Sequence, residues 1–432
     1  MLVAALFIAL LPFVSRPILD VAVRGLDAVS LGAIVGSFFA ALALFAVPVT
    51  LLGTVSPFAI RLALEDVGEA GTVAGRLYAL STVGSIVGTF ASALVTIPLV
   101  GTQRTMLGSA ALLVLAGALV LGNRWQLVTV AVAALLFIPP GTIKASPGLL
   151  YETESPYQYV QVLERPDGSR VLKLNEGVAV HSVWYPHSVL TGGEWDMFLV
   201  VPPLLDRPVK RMLVIGNAGG TIARAYGQLY PDVQIDGVEI DPAVTEAGRR
   251  FLGLDDNPNL HVITDDGRPF LQLTDRRYDV IAVDAYRQPY IPFYLATEEF
   301  FRLARQHLTP GGVLALNVAA VPGDLRLSRA VGSTVLAAFP QAWRWKPFRF
   351  NELILAFDRP LSRAELVRRV GAINPAAASL VPLFRAGVKP VRADAEVLTD
   401  DRAPVEWLTD RMIIDFIAGG GELDETPLPT AP

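Results

Sequence analysis

No cysteine occurs in the 432 residues, which excludes a disulfide framework, thiolate nucleophiles and cysteine-based zinc sites. Histidine is almost as scarce. His181, His187, His261 and His307 are the four present, they show no metal-ligand spacing, and no metal is expected. There is no dense basic run and the formal net charge is −5, a balance that argues against nucleic acid as a partner. No internal repeat is visible after residue 145. Charge itself is sparse up to residue 150, where Arg16, Asp20, Arg24, Asp27, Arg61, Glu65, Asp66, Glu69, Arg76, Arg104, Arg124 and Lys144 are all that occur.

Long apolar runs fill the gaps between those charges, and they raise the mean hydropathy of the whole chain to +0.45. Residues 31–53 and 77–100 are each long enough to cross a bilayer as a helix, which takes about 20 apolar residues. Residues 105–122 and 125–139 are shorter and read as a tight helical hairpin broken at Gly122-Asn123-Arg124. Residues 1–14 read as a marginal span rather than a signal peptide, because no positive region precedes them and more spans follow. Four or five membrane helices are expected. Gly84, Ser85, Gly88, Ala91 and Ser92 give one of them the closely spaced small residues found where helices pack in lipid. Arg16, Arg24, Arg104 and Lys144 nearly balance Arg61, Arg76 and Arg124, so orientation stays open.

After a linker at 141–148, residues 157–163 and 170–174 alternate around Pro166-Asp167-Gly168, a β-hairpin signal. Residues 183–205 read as mostly helical. Beyond Lys210, strands at 211–215, 233–239, 261–264, 280–284 and 313–317 alternate with helices at 221–229, 242–251, 268–272 and 297–307. Such alternation makes a parallel, doubly wound sheet. Residues 353–357 read as a late antiparallel strand, and 360–390 as mostly helical. The expected fold is a multi-span α-helical membrane region followed by an α/β Rossmann-like domain with a small N-terminal β-hairpin subdomain. Its parts are 1–145 (membrane), 146–205 (small β/α subdomain), 206–360 (nucleoside-binding domain) and 361–432 (C-terminal helical extension).

In a doubly wound sheet ligands sit beyond the carboxyl ends of the strands, near the point where strand order reverses. Four successive strand ends carry matching groups here. Gly216, Gly219 and Gly220 form a turn after the first, and Glu239 closes the second, where a carboxylate can accept hydrogen bonds from ribose hydroxyls. Asp265-Asp266-Gly267 follows the third and Asp284 the fourth. Taken singly these are ordinary turns and helix caps; together they suit an adenosine, with Asp266 and Gly267 near the adenine.

Residues 155–320 resemble the spermidine synthase family, aminopropyltransferases on the class I methyltransferase fold. The likeness rests on Ser155-Pro156-Tyr157-Gln158, Leu174-Asn175-Glu176-Gly177, the glycine turn, Val238-Glu239-Ile240-Asp241-Pro242, Asp266-Gly267-Arg268-Pro269-Phe270, Tyr278-Asp279-Val280-Ile281, Asp284, Thr297-Glu298-Glu299-Phe300 and Leu308-Thr309-Pro310-Gly311-Gly312-Val313. Val55-Ser56-Pro57-Phe58-Ala59-Ile60-Arg61 and Gly75-Arg76-Leu77-Tyr78-Ala79-Leu80-Ser81-Thr82 resemble a bacterial branch that fuses a multi-span region to this domain. The resemblance implies a sulfonium donor of the S-adenosylmethionine type, intact or decarboxylated, as a co-substrate with no tightly bound cofactor. It also implies Asp284 as the catalytic base and Gln158 as a ligand contact.

The chain departs from that family at three places. The turn Gly216-Asn217-Ala218-Gly219-Gly220 lacks the family's acid, Arg287 stands where a second acid follows the catalytic one, and Trp195-Asp196-Met197-Phe198 stands near the place of a Tyr-His-Glu. Three readings follow: aminopropyl transfer to an amine, methyl transfer on the same fold, and a non-catalytic nucleoside or polyamine sensor. The expected partners are a small-molecule amine or other nucleophile and the lipid bilayer, with a homodimer left open; the soluble domain is expected on the cytoplasmic side. His181 and Tyr286, Tyr290 and Tyr294 are further candidates for the pocket wall. So is Thr399-Asp400-Asp401-Arg402-Ala403-Pro404-Val405-Glu406. Trp343-Arg344-Trp345-Lys346 fits a folded hairpin better than a membrane interface.

Overall fold

The computed structural model describes residues 1–24, 32–121, 132, 134–138, 143, 146–175, 179–287 and 289–421. The chain divides into two compact units, Met1–Lys144 and Ala145–Pro432.

The first unit is helical. α1 (Leu2–Arg24), α2 (Gly32–Gly53), α3 (Val55–Ala63), α4 (Ala70–Ala91) and α5 (Ile97–Leu121) follow the apolar runs. Small side chains bring α1 against α5, where Ala5 and Ala9 pack with Leu107, Ala110 and Val114. Among the described residues two stretches are long and apolar enough to cross a membrane, 38–63 and 67–120. The second has 54 residues, more than twice what one span needs. It breaks where Gly101 adopts φ 83°, close to the division expected between 100 and 105. Two expectations fare differently. Gly84 and Gly88 face open space, so no helix packs on that small-residue stripe among the described residues. Most of 125–139 lies outside the described residues.

The second unit opens with a four-stranded antiparallel sheet, β1 (Leu149–Glu154), β2 (Tyr159–Glu164), β3 (Arg170–Leu174) and β4 (Val180–Trp184). Only β2 and β3 were expected. The outer strands escape a periodicity search because they are mostly half-buried on both faces. Residues 183–205 correct the helical expectation. They hold the end of β4 and two short 3₁₀ turns, Glu194–Val200 and Pro202–Leu204; Pro186, Gly192, Gly193, Pro202 and Pro203 prevent a longer helix.

The larger sheet runs in the order β12-β10-β11-β9-β8-β5-β6-β7. β5 (Arg211–Ile215), β6 (Gln234–Glu239), β7 (Leu260–Thr264), β8 (Tyr278–Val283) and β9 (Leu308–Ala319) are mutually parallel. β10 (Gln341–Trp345), β11 (Asn351–Phe357) and the short β12 (Lys389–Pro390) extend it antiparallel from β9. β5 shows why the sheet is covered on both faces. Met212 and Val214 join a core with Ile222 and Tyr226 of α6 (Thr221–Leu229), while Leu213 and Ile215 join another with Phe300 and Phe301. Trp343 and Trp345 on β10 are buried, with the Trp345 indole donating to the Leu383 carbonyl at 3.1 Å. The hairpin is therefore core and faces no headgroups.

Capping fixes where the helices over the site begin. Asp241 accepts from the Ala243 amide to start α7 (Pro242–Phe251), and Asp266 accepts from the Arg268 amide to start α8 (Gly267–Leu273). Thr297 caps α9 (Glu298–Gln306), and α10 (Arg326–Ala338), α11 (Arg363–Val370), α12 (Leu380–Gly387) and α13 (Val405–Ala418) follow. The four-stranded sheet lays Val160, Val162, Leu172 and Leu174 against Val244 and Ala247 of α7, so the turn before β2 lies by the carboxyl end of β6.

Candidate active site

Strand order reverses between β5 and β8, and there the two chains meet closely. The Asp284 amide donates to the Ile215 carbonyl at 2.9 Å. Gly216 takes φ +85°, and a Cβ on it would lie 2.5 Å from Ala285 Cα and 2.6 Å from the Asp284 carbonyl oxygen. Only glycine fits. Gly219 and Gly220 serve packing instead: their absent Cβ atoms make room for Leu252 and Leu254, and neither glycine lines the cavity.

Glu239 is held at the end of β6 by two backbone amides, Ala218 at 2.9 Å and Asp241 at 3.0 Å. Burial pushes its carboxyl up to about 7 against the pull of those amides. Asp241 is fully buried and accepts a 2.6 Å bond from Ser155 Oγ. Ser155 in turn accepts from the Tyr157 and Gln158 amides at 3.1 and 3.0 Å. A chain of bonds thus runs from the Glu239 carboxylate to the turn carrying Gln158.

At the third strand end Asp266 receives the Tyr294 hydroxyl at 2.8 Å. Arg268 makes a two-bond fork with Asp400, 2.7 and 2.6 Å, and also donates to the Tyr294 carbonyl. Thr297 Oγ1 adds a bond to the same carboxylate at 2.8 Å, and the Arg268 guanidinium holds the Asp400 carboxyl below its ordinary range. Residues 399–402 are clasped onto α8 by this fork. Asp400→Ala is expected to cost about 1 kcal/mol, since the aspartate is partly exposed, and to speed amide exchange at 396–404; unchanged exchange there would show the clasp to be idle.

Asp284 is fixed by Asn317, whose Nδ2 donates at 2.8 Å. Burial raises its carboxyl to about 7, opposed by that amide. Glu194 is the residue that sequence reasoning passed over. It lies at the start of a 3₁₀ turn next to the Trp195-Asp196-Met197-Phe198 departure, and it faces the same cavity. Burial, with a smaller push from the Asp284 charge, raises it to about 7 as well. Two carboxyls in one site share their protons. Turnover that needs one of them ionised is therefore expected to fall as pH drops below about 7; a rate independent of pH between 5.5 and 8 would exclude a carboxylate base.

Gly216 and the carboxyls of Glu194, Glu239, Asp266 and Asp284 open onto one cavity of about 1150 Å³. It gathers Gln158, Gly216, Glu239, Asp266, Gly267 and Asp284 from the expected set, and His181, Tyr286, Tyr290 and Tyr294 with them. Among the described residues its lining holds six acidic groups (Glu194, Glu239, Asp265, Asp266, Asp284 and Glu406) against the guanidinium of Arg287. Such a lining favours cationic ligands.

Residues 195–342 match the spermine/spermidine synthase domain. The chain is thus similar to that family over 148 of its 432 residues. It is similar to a probable polyamine aminopropyl transferase of Bifidobacterium longum, 36% identical over 216 residues, covering 48% of each chain. It is also similar to a polyamine aminopropyltransferase of Vibrio vulnificus, 31% identical over 175 residues, covering 39% of this chain and 58% of that protein. These matches thus span about half the length of the two relatives. The spermidine synthase of Thermotoga maritima aligns at 18% identity with a TM-score of 0.42, covering 61% of this chain and 84% of that one. Gly216, Glu239, Asp266 and Asp284 lie within the matched region, and Gln158 and Glu194 lie ahead of it.

Proposed function

We propose that this chain is a membrane-anchored transferase that moves an aminopropyl group from decarboxylated S-adenosylmethionine to a polyamine or related amine. The observation that carries this is the acidic cavity built around the strand switch point, with six carboxylates facing one guanidinium. Glu239 would hold the ribose hydroxyls, Asp266 and Gly267 the adenine, and Gly216 would let the backbone approach the sulfonium. The acceptor nitrogen attacks the methylene carbon beside sulfur. That carbon–sulfur bond breaks, sulfur keeps the electron pair as a neutral thioether, and the proton lost by nitrogen passes to Asp284. The leaving group is already activated, so holding nucleophile and carbon in line supplies most of the acceleration.

The rival, methyl transfer from intact S-adenosylmethionine, draws on Ala218 standing in the turn where no acid repels a carboxylate. It must place that carboxylate in a cavity whose described lining sets one guanidinium, Arg287, against six acidic groups, which weighs against it. The anchoring half of the proposal rests on 38–63 and 67–120. Tyr78, Leu80, Val83, Ile86, Val87 and Phe90 are all exposed along α4, and a helix apolar all round is suited to lipid.

The test is an assay of the full chain in detergent with decarboxylated donor and a polyamine. Formation of 5′-methylthioadenosine together with an aminopropylated amine is expected. Consumption of intact donor with methylation of an acceptor would replace this proposal with its rival.

A further inference from the structure

β9 and β11 are mainly apolar where they pair, yet each contributes one asparagine to the cavity lining, Asn317 and Asn351. Asn351 lies beyond the matched region. The strands run antiparallel with Asn317 opposite Leu353 and Asn351 opposite Ala319, so the asparagines are diagonal neighbours on one face. Asn317 is buried and Asn351 half-buried. An amide is costly to bury in an apolar sheet unless its polar atoms are met. Here Asn351 Nδ2 donates to Asn317 Oδ1 at 3.2 Å, and Asn317 Nδ2 donates to Asp284 Oδ1 at 2.8 Å. The Tyr286 hydroxyl donates to the Asn317 backbone carbonyl at 3.0 Å, which ties the loop after Asp284 to the same point of β9.

The direction of this chain matters, because the nitrogen of an asparagine amide only donates and its oxygen only accepts. With nitrogen toward Asp284, Asn317 supports a carboxylate. Turned end for end, it would present its oxygen, which repels a carboxylate and accepts from a carboxylic acid. Asn351 favours the first arrangement. Its donor meets the Asn317 oxygen, and a hydrogen bond accepted there polarises the amide and makes its nitrogen a stronger donor. Without Asn351 that oxygen loses its partner and nothing on β11 opposes the turned amide.

Resting on the assignment of Asp284 as base, we propose that Asn351 is a positioning residue. Acting through Asn317, it keeps an amide donor aimed at Asp284 and holds that side chain as a carboxylate ready to take the proton. Two influences oppose the carboxylate: burial and the charge of Glu194 on the 3₁₀ turn, which is coupled to it. Tyr286, from the loop after Asp284, is the other titratable group that feels this charge. Glu239, Asp266, His181 and Arg287 line the same cavity. The two asparagines are neutral and act by direction alone.

The experiment is the pH dependence of transfer by the full chain in detergent, with decarboxylated donor and a polyamine. Wild type, Asn351→Leu, Asn317→Leu and the double variant are compared. Relative to wild type at the same pH, Asn351→Leu is expected to have a kcat about fivefold lower at pH 6 and within about twofold at pH 9, because its carboxylate forms only at higher pH. The double variant should match Asn317→Leu alone, since Asn351 acts through that amide. A loss equal at both pH values, additive losses in the double variant, or a wild-type profile would each overturn the inference. Unfolding temperature is read on the same samples. Protonated Asp284 favours the folded state, so stability falls with rising pH until the carboxyl has ionised. In Asn351→Leu that fall should extend to higher pH than in wild type. Asn351→Asp, whose carboxylate would draw the Asn317 nitrogen to itself, should extend it further and serves if Asn351→Leu fails to fold. Stability profiles that shift this way in a chain without transfer would sink the enzyme reading and leave the role of Asn351 standing; transfer with unmoved profiles would do the reverse.

Discussion

Asp284→Asn is expected to lower the rate of aminopropyl transfer by about 10²–10⁴-fold, the usual contribution of a positioned general base, and to leave donor affinity within about threefold of wild type. The geometry separates the two effects. The Asn317 amide holds the aspartate from one side, whereas the proposed donor contacts come from Glu239, Asp266 and the glycine turn. The same variant carries a signed prediction for stability. Burial raises the carboxyl from its ordinary range to about 7, so the folded state favours its protonated form. Its contribution to stability is complete below the usual carboxylate range and is lost as pH rises through about 7. An asparagine cannot ionise. Thermal unfolding of the variant should therefore fall less between pH 5 and pH 8 than that of wild type. An inactive variant with a wild-type pH profile of stability would show that desolvation does not hold the Asp284 carboxyl protonated in the folded state.

Gly216→Ala is expected to abolish donor binding and lower the unfolding temperature. Two costs combine. At φ +85° a residue with a Cβ pays about 1–3 kcal/mol for the left-handed conformation. The new methyl would also stand 2.5 Å from Ala285 Cα and 2.6 Å from the Asp284 carbonyl, both backbone atoms that cannot swing aside. Relief requires β5 and β8 to part at their carboxyl ends, which moves Asp284 itself. Gly219→Ala makes the contrast, because its Cβ would meet the flexible end of Leu252 and Ser182. A smaller loss of stability and a measurable donor affinity are expected there. Calorimetry with the donor and thermal unfolding of both variants would decide, and equal behaviour of the two would show that the turn does not work through Gly216.

The parallel core was legible because its signals are local. Each of β5 to β8 is a short, mainly apolar run closed by glycine, glutamate or aspartate, and Asp241-Pro242, Asp266 and Thr297 announce helices a residue or two ahead. The edges were harder to see. β1 and β4 lack a clear alternation, and the 3₁₀ turns at 194–204 hold a helix-like composition that prolines and glycines cut short. The site divides in the same way. Gly216, Glu239, Asp266 and Asp284 stand at strand ends and could be read as a set. Glu194 could not, since its meaning comes from a carboxyl ninety residues away in the chain. Nor could the functions of the glycines be told apart, because the neighbour that an absent Cβ makes room for is a tertiary fact. Glu406 falls under the same rule: only the packing of α13 brings it to the cavity.

The most direct test of the central claim is calorimetric titration of the full chain with decarboxylated and with intact S-adenosylmethionine, done side by side at pH 7.5. The acidic cavity predicts at least about tenfold tighter binding of the decarboxylated form, a difference of about 1.4 kcal/mol, because the intact donor brings a carboxylate into a site whose described lining sets six acidic groups against one guanidinium. Equal or tighter binding of the intact donor would contradict the account.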